Sequence, residues 1–136
     1  MKTYYGPETK KALKNFPFSN GKVAKELILA MVKIKKCAAI ANLETGKISR
    51  NVKNAIVKSC EEILEGKLAD QFPLSNLQGG AGTSINANVN EVIAGRATEI
   101  LQKQGKKTTV HPNDHVNASQ STNDVNPSAL KIALFD

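Results

Sequence analysis

Apolar residues recur at three- and four-residue steps in three stretches of this chain, the repeat of a helix with one buried face. In KVAKELILAMVKIKKCAAIANLE, residues 22–44, the stripe is Val23, Leu27, Met31, Ile34, Ala38 and Ala41, with lysines opposite and Gly46 as the stop. Ser49 is placed to cap a second helix over about 50–65, striped by Val52, Ile56, Cys60 and Ile63 or Leu64 and followed by Gly66. A third spans about 87–103, with Val89, Ile93, Ala97, Ile100 and Leu101 on one side and Gly105 after it. Residues 70–85 and 105–121 lack periodicity and read as loops. Asn126 followed by Pro127 then suits the N-cap and first position of a last helix. The predicted fold is mainly α, without internal repeats.

Composition narrows the function classes. No apolar run approaches the roughly 18 residues of a membrane span, and the N-terminus carries no secretory signal. Cys37 and Cys60 match no zinc or redox spacing and sit inside helical patterns, which suits buried thiols in a reducing compartment. The net charge of +7 hints at nucleic acid, but residues 1–68 carry 14 Lys+Arg against 6 Glu while residues 69–136 carry 5 against 6 Asp+Glu. The lysines follow helical polar faces, no aromatics interleave with them, and only Arg50 and Arg96 could make forked contacts. A solvated face explains this better than a nucleic-acid surface.

The chemistry concentrates in the two loops. QGGAGTSINANVNEV, residues 78–92, holds three glycines that let a ligand approach the main chain. Thr83, Ser84 and Asn86 then supply short donors just before a helix, whose N-terminus is a natural anion site. The spacing is neither a phosphate-binding Walker loop nor a dinucleotide fingerprint, so helix capping competes with anion binding. In HPNDHVNASQSTNDVNPSA, residues 111–129, His111 and His115 are four apart, but Pro112, Asn113 and Asp114 between them argue against the regular helix a metal pair would need. Ser121, Thr122 and Asn123 repeat the cluster of hydroxyl and amide donors before a helix, more than a cap requires. Two neutral donor clusters fit a carboxylate or its enolate-like relative.

Three segments in order, YYGPETKKALKNFPFS, DQFPLSNLQGGAGTSINANVNEVIAGRA and HPNDHVNASQSTNDVNPSALKIA, closely resemble the aspartase/fumarase superfamily across about Tyr4 to Ala133. QGGAGTS and QSTND are similar to the aspartase branch, whereas HPND is written as class II fumarases write it, where that turn accompanies a second anion site. The resemblance implies an N-terminal lyase domain over 1–120. The first central-bundle helix would then begin at 121–136. It implies removal of a proton beside a carboxylate, an aci-carboxylate intermediate, and loss of ammonia (aspartase) or water (fumarase) to give fumarate. Thr83 matches a substrate-contacting threonine, with Ser84 beside it. Ser121 and Thr122 match the pair that holds the carboxylate, and Asn123 matches the asparagine near the leaving group. His111, Asn113 and Asp114, with Lys107 nearby, form the candidate second anion site. No metal site and no cofactor are implied, although divalent cations activate some aspartases. The implied setting is a cytoplasmic homotetramer acting on a small dicarboxylate, away from membranes and nucleic acid.

The family's glycine- and serine-rich loop, GSSxMPxKxNP, carries its serine base, and no such pattern occurs in these 136 residues. The expectation is therefore a fragment that contributes substrate-binding groups, lacks the base, and forms no fumarate alone above a no-protein blank. Crystallins recruited from the superfamily keep the fold without always keeping activity, so the donor clusters, not the fold, carry the catalytic reading.

Overall fold

The computed structural model describes residues 2–135; Met1 and Asp136, the outer ends of the two expected domains, lie outside the described residues. Five helices carry the fold: α1 Pro7–Asn15, α2 Lys25–Glu44, α3 Arg50–Leu64, α4 Thr83–Lys103 and α5 Thr122–Phe135. Among the described residues the only extended pairing is one antiparallel bridge, Lys22 to Ser75, so the mainly α expectation holds. The helix α4 lies at the centre, in contact with α1, α2, α3 and α5, while α2 packs between α3 and α5.

The α3 and α4 stripes are buried as the pattern requires: Val52, Ile56, Cys60 and Ile63 face Val89, Ile93, Ala97, Ile100 and Leu101 across one core. Burying side chains of this size stabilises a fold by about 1.5–3 kcal/mol each. Ser49 caps α3 as expected, its Oγ accepting from Val52 N at 3.3 Å. Arg96 forks onto Glu62 of α3 at 2.5 and 2.8 Å and also reaches Glu99, so its guanidinium is committed inside the domain. Glu99 also accepts from Tyr4 Oη and Lys2; these hydrogen bonds, that from Tyr4 foremost, lower its carboxyl to about 2.

Four expectations need correction. The buried face of α2 is Ile28, Met31, Val32, Lys35, Ala39 and Asn42, one position round from the expected stripe. Leu27, Ile34 and Ala38 are only half-buried and Ala41 is exposed, because the core side of α2 includes two polar residues that hydrophobic spacing passes over. As a result Cys37 is exposed while Cys60 is buried. The third helix starts at Thr83 rather than 87, because left-handed Gly82 (φ +87°) ends the loop there. The last helix starts at Thr122, with Pro127 inside it. Ser121 caps it a turn earlier than Asn126 would, and Asn123, whose carbonyl Pro127 cannot serve, is exposed to water.

The helix α1 had no expectation. Its cap comes from far along the chain: the buried Glu91 carboxylate of α4 accepts from Gly6 N, Glu8 N, Thr9 N and Thr9 Oγ1 at 2.6–3.1 Å. The N-terminal segment lies so close to α4 that a Cβ on Gly95 would sit 2.7 Å from Tyr4 O. Gly95→Ala should therefore lower the thermal midpoint of the full-length protein. Overpacking against backbone costs about 1–3 kcal/mol, which outweighs the roughly 1 kcal/mol gained in helix propensity. A midpoint raised by the substitution would count against this packing.

Candidate functional site

The N-termini of α4 and α5 meet. Before α4 the backbone passes through Gly80 (φ +68°), Ala81 (φ +50°) and Gly82 (φ +87°), three successive left-handed residues of which one carries a side chain. Gly79 is extended and instead makes room: a Cβ there would lie 2.8 Å from the Phe16 ring. Across the junction Asn126 Nδ2 donates to Ala81 O at 3.1 Å, and Asn86 Nδ2 donates to Thr122 Oγ1 at 3.1 Å. Ser119, just ahead of α5, is also left-handed (φ +60°). Non-glycine residues held in this region on both sides of one junction mark backbone that the surrounding structure constrains.

The two predicted donor clusters are thus brought together, on neighbouring helix starts rather than in loops. Thr83 and Ser84 are the first two residues of α4, whose N-terminus no side chain caps. Ser121 precedes α5, and Thr122 and Asn123 open it. A hydroxyl has one proton and two lone pairs. Thr122 Oγ1 accepts from Asn86, and Ser121 Oγ accepts from Asn123 N at 3.2 Å, so each keeps its proton free to donate. Thr83 is the opposite case, its hydroxyl donating to Gly80 O at 2.6 Å; it offers lone pairs and the adjacent backbone. Thr83, Ser121 and Asn123 are exposed, and Ser84 and Thr122 are half-buried. Hydroxyl protons left free at the start of α5, beside the uncapped N-terminus of α4, suit a small anion.

Behind this surface lies a buried polar network that sequence reasoning missed. Lys35 is fully buried in α2, and its ammonium donates to Asn117 Oδ1 at 2.7 Å and Gln120 Oε1 at 2.9 Å. Asn117 Oδ1 also accepts from Asn86 Nδ2 at 3.3 Å and Asn90 Nδ2 at 3.2 Å. One signal was available: Lys35 stands four residues from Met31 and from Ala39, on an apolar face.

Burial lowers the Lys35 ammonium from an ordinary 10.5 to about 7. Between those values the unfolded chain binds more protons than the folded one, so this residue makes stability rise with pH. Burial pushes the nearby Cys60 thiol from 9.0 up to about 12, which works in the opposite sense above pH 9. The contribution of Lys35 is therefore seen most cleanly between about pH 7 and 9. There Lys35→Met should flatten the rise in thermal midpoint; an unchanged slope would show that Lys35 is not the titrating group.

His111, Asn113 and Asp114 lie on a separate wide turn, Pro112–Val116, packed against α4. His111 Nδ1 accepts from Asn113 N and Asp114 N, and His111 N donates to His115 Nδ1 at 2.8 Å, so the His115 ring folds back onto the His111 backbone. The cleft of about 580 Å³ beside it is lined by Glu8, Glu91 and Glu99 and by one lysine, Lys2. Among the described residues no group of three or more His, Cys, Asp or Glu could hold a metal, and no helix is long and apolar enough to cross a membrane.

The chain is similar to known proteins in sequence and fold. A family model described as "Lyase" matches residues 1–136. An aspartate ammonia-lyase from Bacillus sp is 48% identical over 133 residues, which is 97% of this chain and 28% of the relative. A class II fumarate hydratase from Staphylococcus epidermidis is 47% identical over 132 residues, again 97% of this chain and 29% of the relative. Among solved structures, recombinant class II fumarase from Schistosoma mansoni superposes with a TM-score of 0.92 at 39% identity, covering 98% of this chain and 29% of that one. The chain spans less than a third of the length of these relatives.

Proposed function

The chain belongs to the lyase family that holds aspartate ammonia-lyases and class II fumarases, and from that premise we propose that it is the N-terminal part of an L-aspartate ammonia-lyase. In this reading a base from another part of the full-length protein removes a proton from C3 of L-aspartate. The electron pair moves into the neighbouring carboxylate to give an aci-carboxylate, then returns as the C2–N bond breaks, leaving fumarate and ammonia. Ser121 and Thr122 donate to the carboxylate that gains charge, Asn123 lies beside the departing nitrogen, and Thr83, with Ser84, contacts the substrate. The observation that carries the proposal is the pair of hydroxyls, Ser121 and Thr122, each accepting one hydrogen bond from the protein and so keeping its own proton free to donate. Such donors act most strongly on charge that grows during the reaction, which favours the transition state over the bound substrate.

The proposed assembly is a cytoplasmic homotetramer, and the bond-breaking step calls on no metal or organic cofactor. Class II fumarase is the second reading, favoured by the HPND turn, with His111, Asn113 and Asp114 as its further anion site. Steady-state assays of the full-length protein separate the two, with fumarate followed by its ultraviolet absorbance. Turnover of L-aspartate alone is the expected result. Turnover of L-malate alone would transfer the proposal to fumarase, and silence with both would remove it.

A further inference from the structure

The lysine at the centre of the buried network has no place in the chemistry above. A fully buried ammonium is costly, and without a charged partner proteins seldom retain one. The Lys35 ammonium donates to two neutral amides, Asn117 Oδ1 and Gln120 Oε1. Both belong to the four-residue turn 117–120 that leads into Ser121. Within that turn Asn117 Nδ2 donates to Gln120 O at 3.2 Å, Gln120 N donates to Asn117 O at 3.1 Å, and Gln120 Nε2 donates to Val116 O and Ala118 O at 3.0 Å. Ser119, inside it, is held left-handed. From Asn117 the chain of contacts runs through Asn86 to the Thr122 hydroxyl. The lysine therefore grips both side chains that shape the turn and stands two hydrogen-bonded residues from a proposed substrate donor.

We propose that Lys35 is a positioning residue, whose ammonium locks Asn117 and Gln120 so that the Ser121 and Thr122 hydroxyls are aimed at the substrate carboxylate. The inference rests on the lyase reading of the site, and it assigns Lys35 no direct contact with substrate. A methionine at this position keeps the length of the side chain and removes all three donors. Replacing buried charge with an apolar residue of similar volume is often tolerated, so the Lys35→Met tetramer should assemble.

The test uses the full-length protein with whichever of L-aspartate and L-malate the wild type turns over. Tetramer content is confirmed by size exclusion before each assay. Lys35→Met should lower kcat by about tenfold or more while KM changes less, because mis-aimed donors forfeit transition-state stabilisation first. Combined with Thr122→Val, it should add little to the loss caused by Thr122→Val alone, since the two act through one contact chain. Lys35→Gln, which retains a donor, should fall between wild type and Lys35→Met, and it carries the test if the methionine protein does not assemble. An assembled variant with wild-type kcat and only a lower melting point would overturn the proposal, as would fully multiplicative losses in the double variant. If the wild type turns over neither substrate, the functional reading fails separately. Calorimetric binding of fumarate then decides: weaker affinity in Lys35→Met, by less than the roughly tenfold expected in kcat, upholds the positioning role, and equal affinity overturns it.

Discussion

Thr122→Val in the full-length protein is expected to lower kcat by about 10²–10³, the usual consequence of removing one donor aimed at a developing oxyanion. Valine matches threonine in shape and β-branching, so α5 should still start at the same residue. What disappears is the O–H left free to donate and the lone pair that accepts from Asn86 Nδ2. Asn86 keeps its second acceptor, Asn117 Oδ1, which limits the structural cost to the lower part of the roughly 1–3 kcal/mol range for a buried donor losing a partner. The signature is therefore a large fall in kcat, a smaller change in KM and a modest shift in melting point. Ser121→Ala is a less clean experiment, because that hydroxyl also caps α5 through Asn123 N and stability would fall with activity. A Thr122→Val enzyme with kcat near wild type would remove Thr122 from the carboxylate-binding role.

Gly82→Ala is the second large effect, and it tests the junction rather than a donor. Gly82 is left-handed, a conformation that costs a non-glycine residue about 1–2 kcal/mol, and its new Cβ would lie 2.5–2.7 Å from the amide atoms of Asn126. The Asn126 amide must swing away, and its bond to Ala81 O, which ties the α4 and α5 starts together, must break. Turnover should drop more than about tenfold, alongside a lower melting point. Gly105→Ala separates the two causes: Gly105 has φ +74° but nothing within 4 Å of the added carbon. It should show the conformational cost in melting temperature with kinetics unchanged. Gly80→Ala meets only Thr83 at ordinary contact distance and should fall between them. Equal kinetic losses in all three variants would mean that loop stability, not the α4–α5 tie, governs the site.

Much of the helical frame is legible from spacing alone, because α3 and α4 obey the simple rule that apolar residues face the core. The α2 face is not, since its inner side includes Lys35 and Asn42, whose polarity serves contacts made by distant segments: Lys35 with Asn117 and Gln120, Asn42 with Ala118 O. The helix α1 is hidden for a related reason: its N-terminal amides are capped by Glu91, more than eighty residues away in sequence. The starts of α4 and α5 were placed about a turn late. In both, the true boundary depends on backbone geometry, left-handed Gly82 in one and the Ser121 cap ahead of Pro127 in the other. The donor residues themselves were conspicuous as clusters of short polar side chains. That Thr83 differs from Ser121 and Thr122 in where its proton goes could not be read from residue type. It follows from Gly80 O lying 2.6 Å from the hydroxyl.

The proposed site holds one small dicarboxylate where the α4 and α5 N-termini converge. A crystal structure of the full-length protein with fumarate bound tests it most directly. A carboxylate is expected within hydrogen-bond distance of the Ser121 and Thr122 hydroxyls, with Thr83 and Ser84 lining the same site. Fumarate seated elsewhere, with those hydroxyls facing solvent, would contradict it.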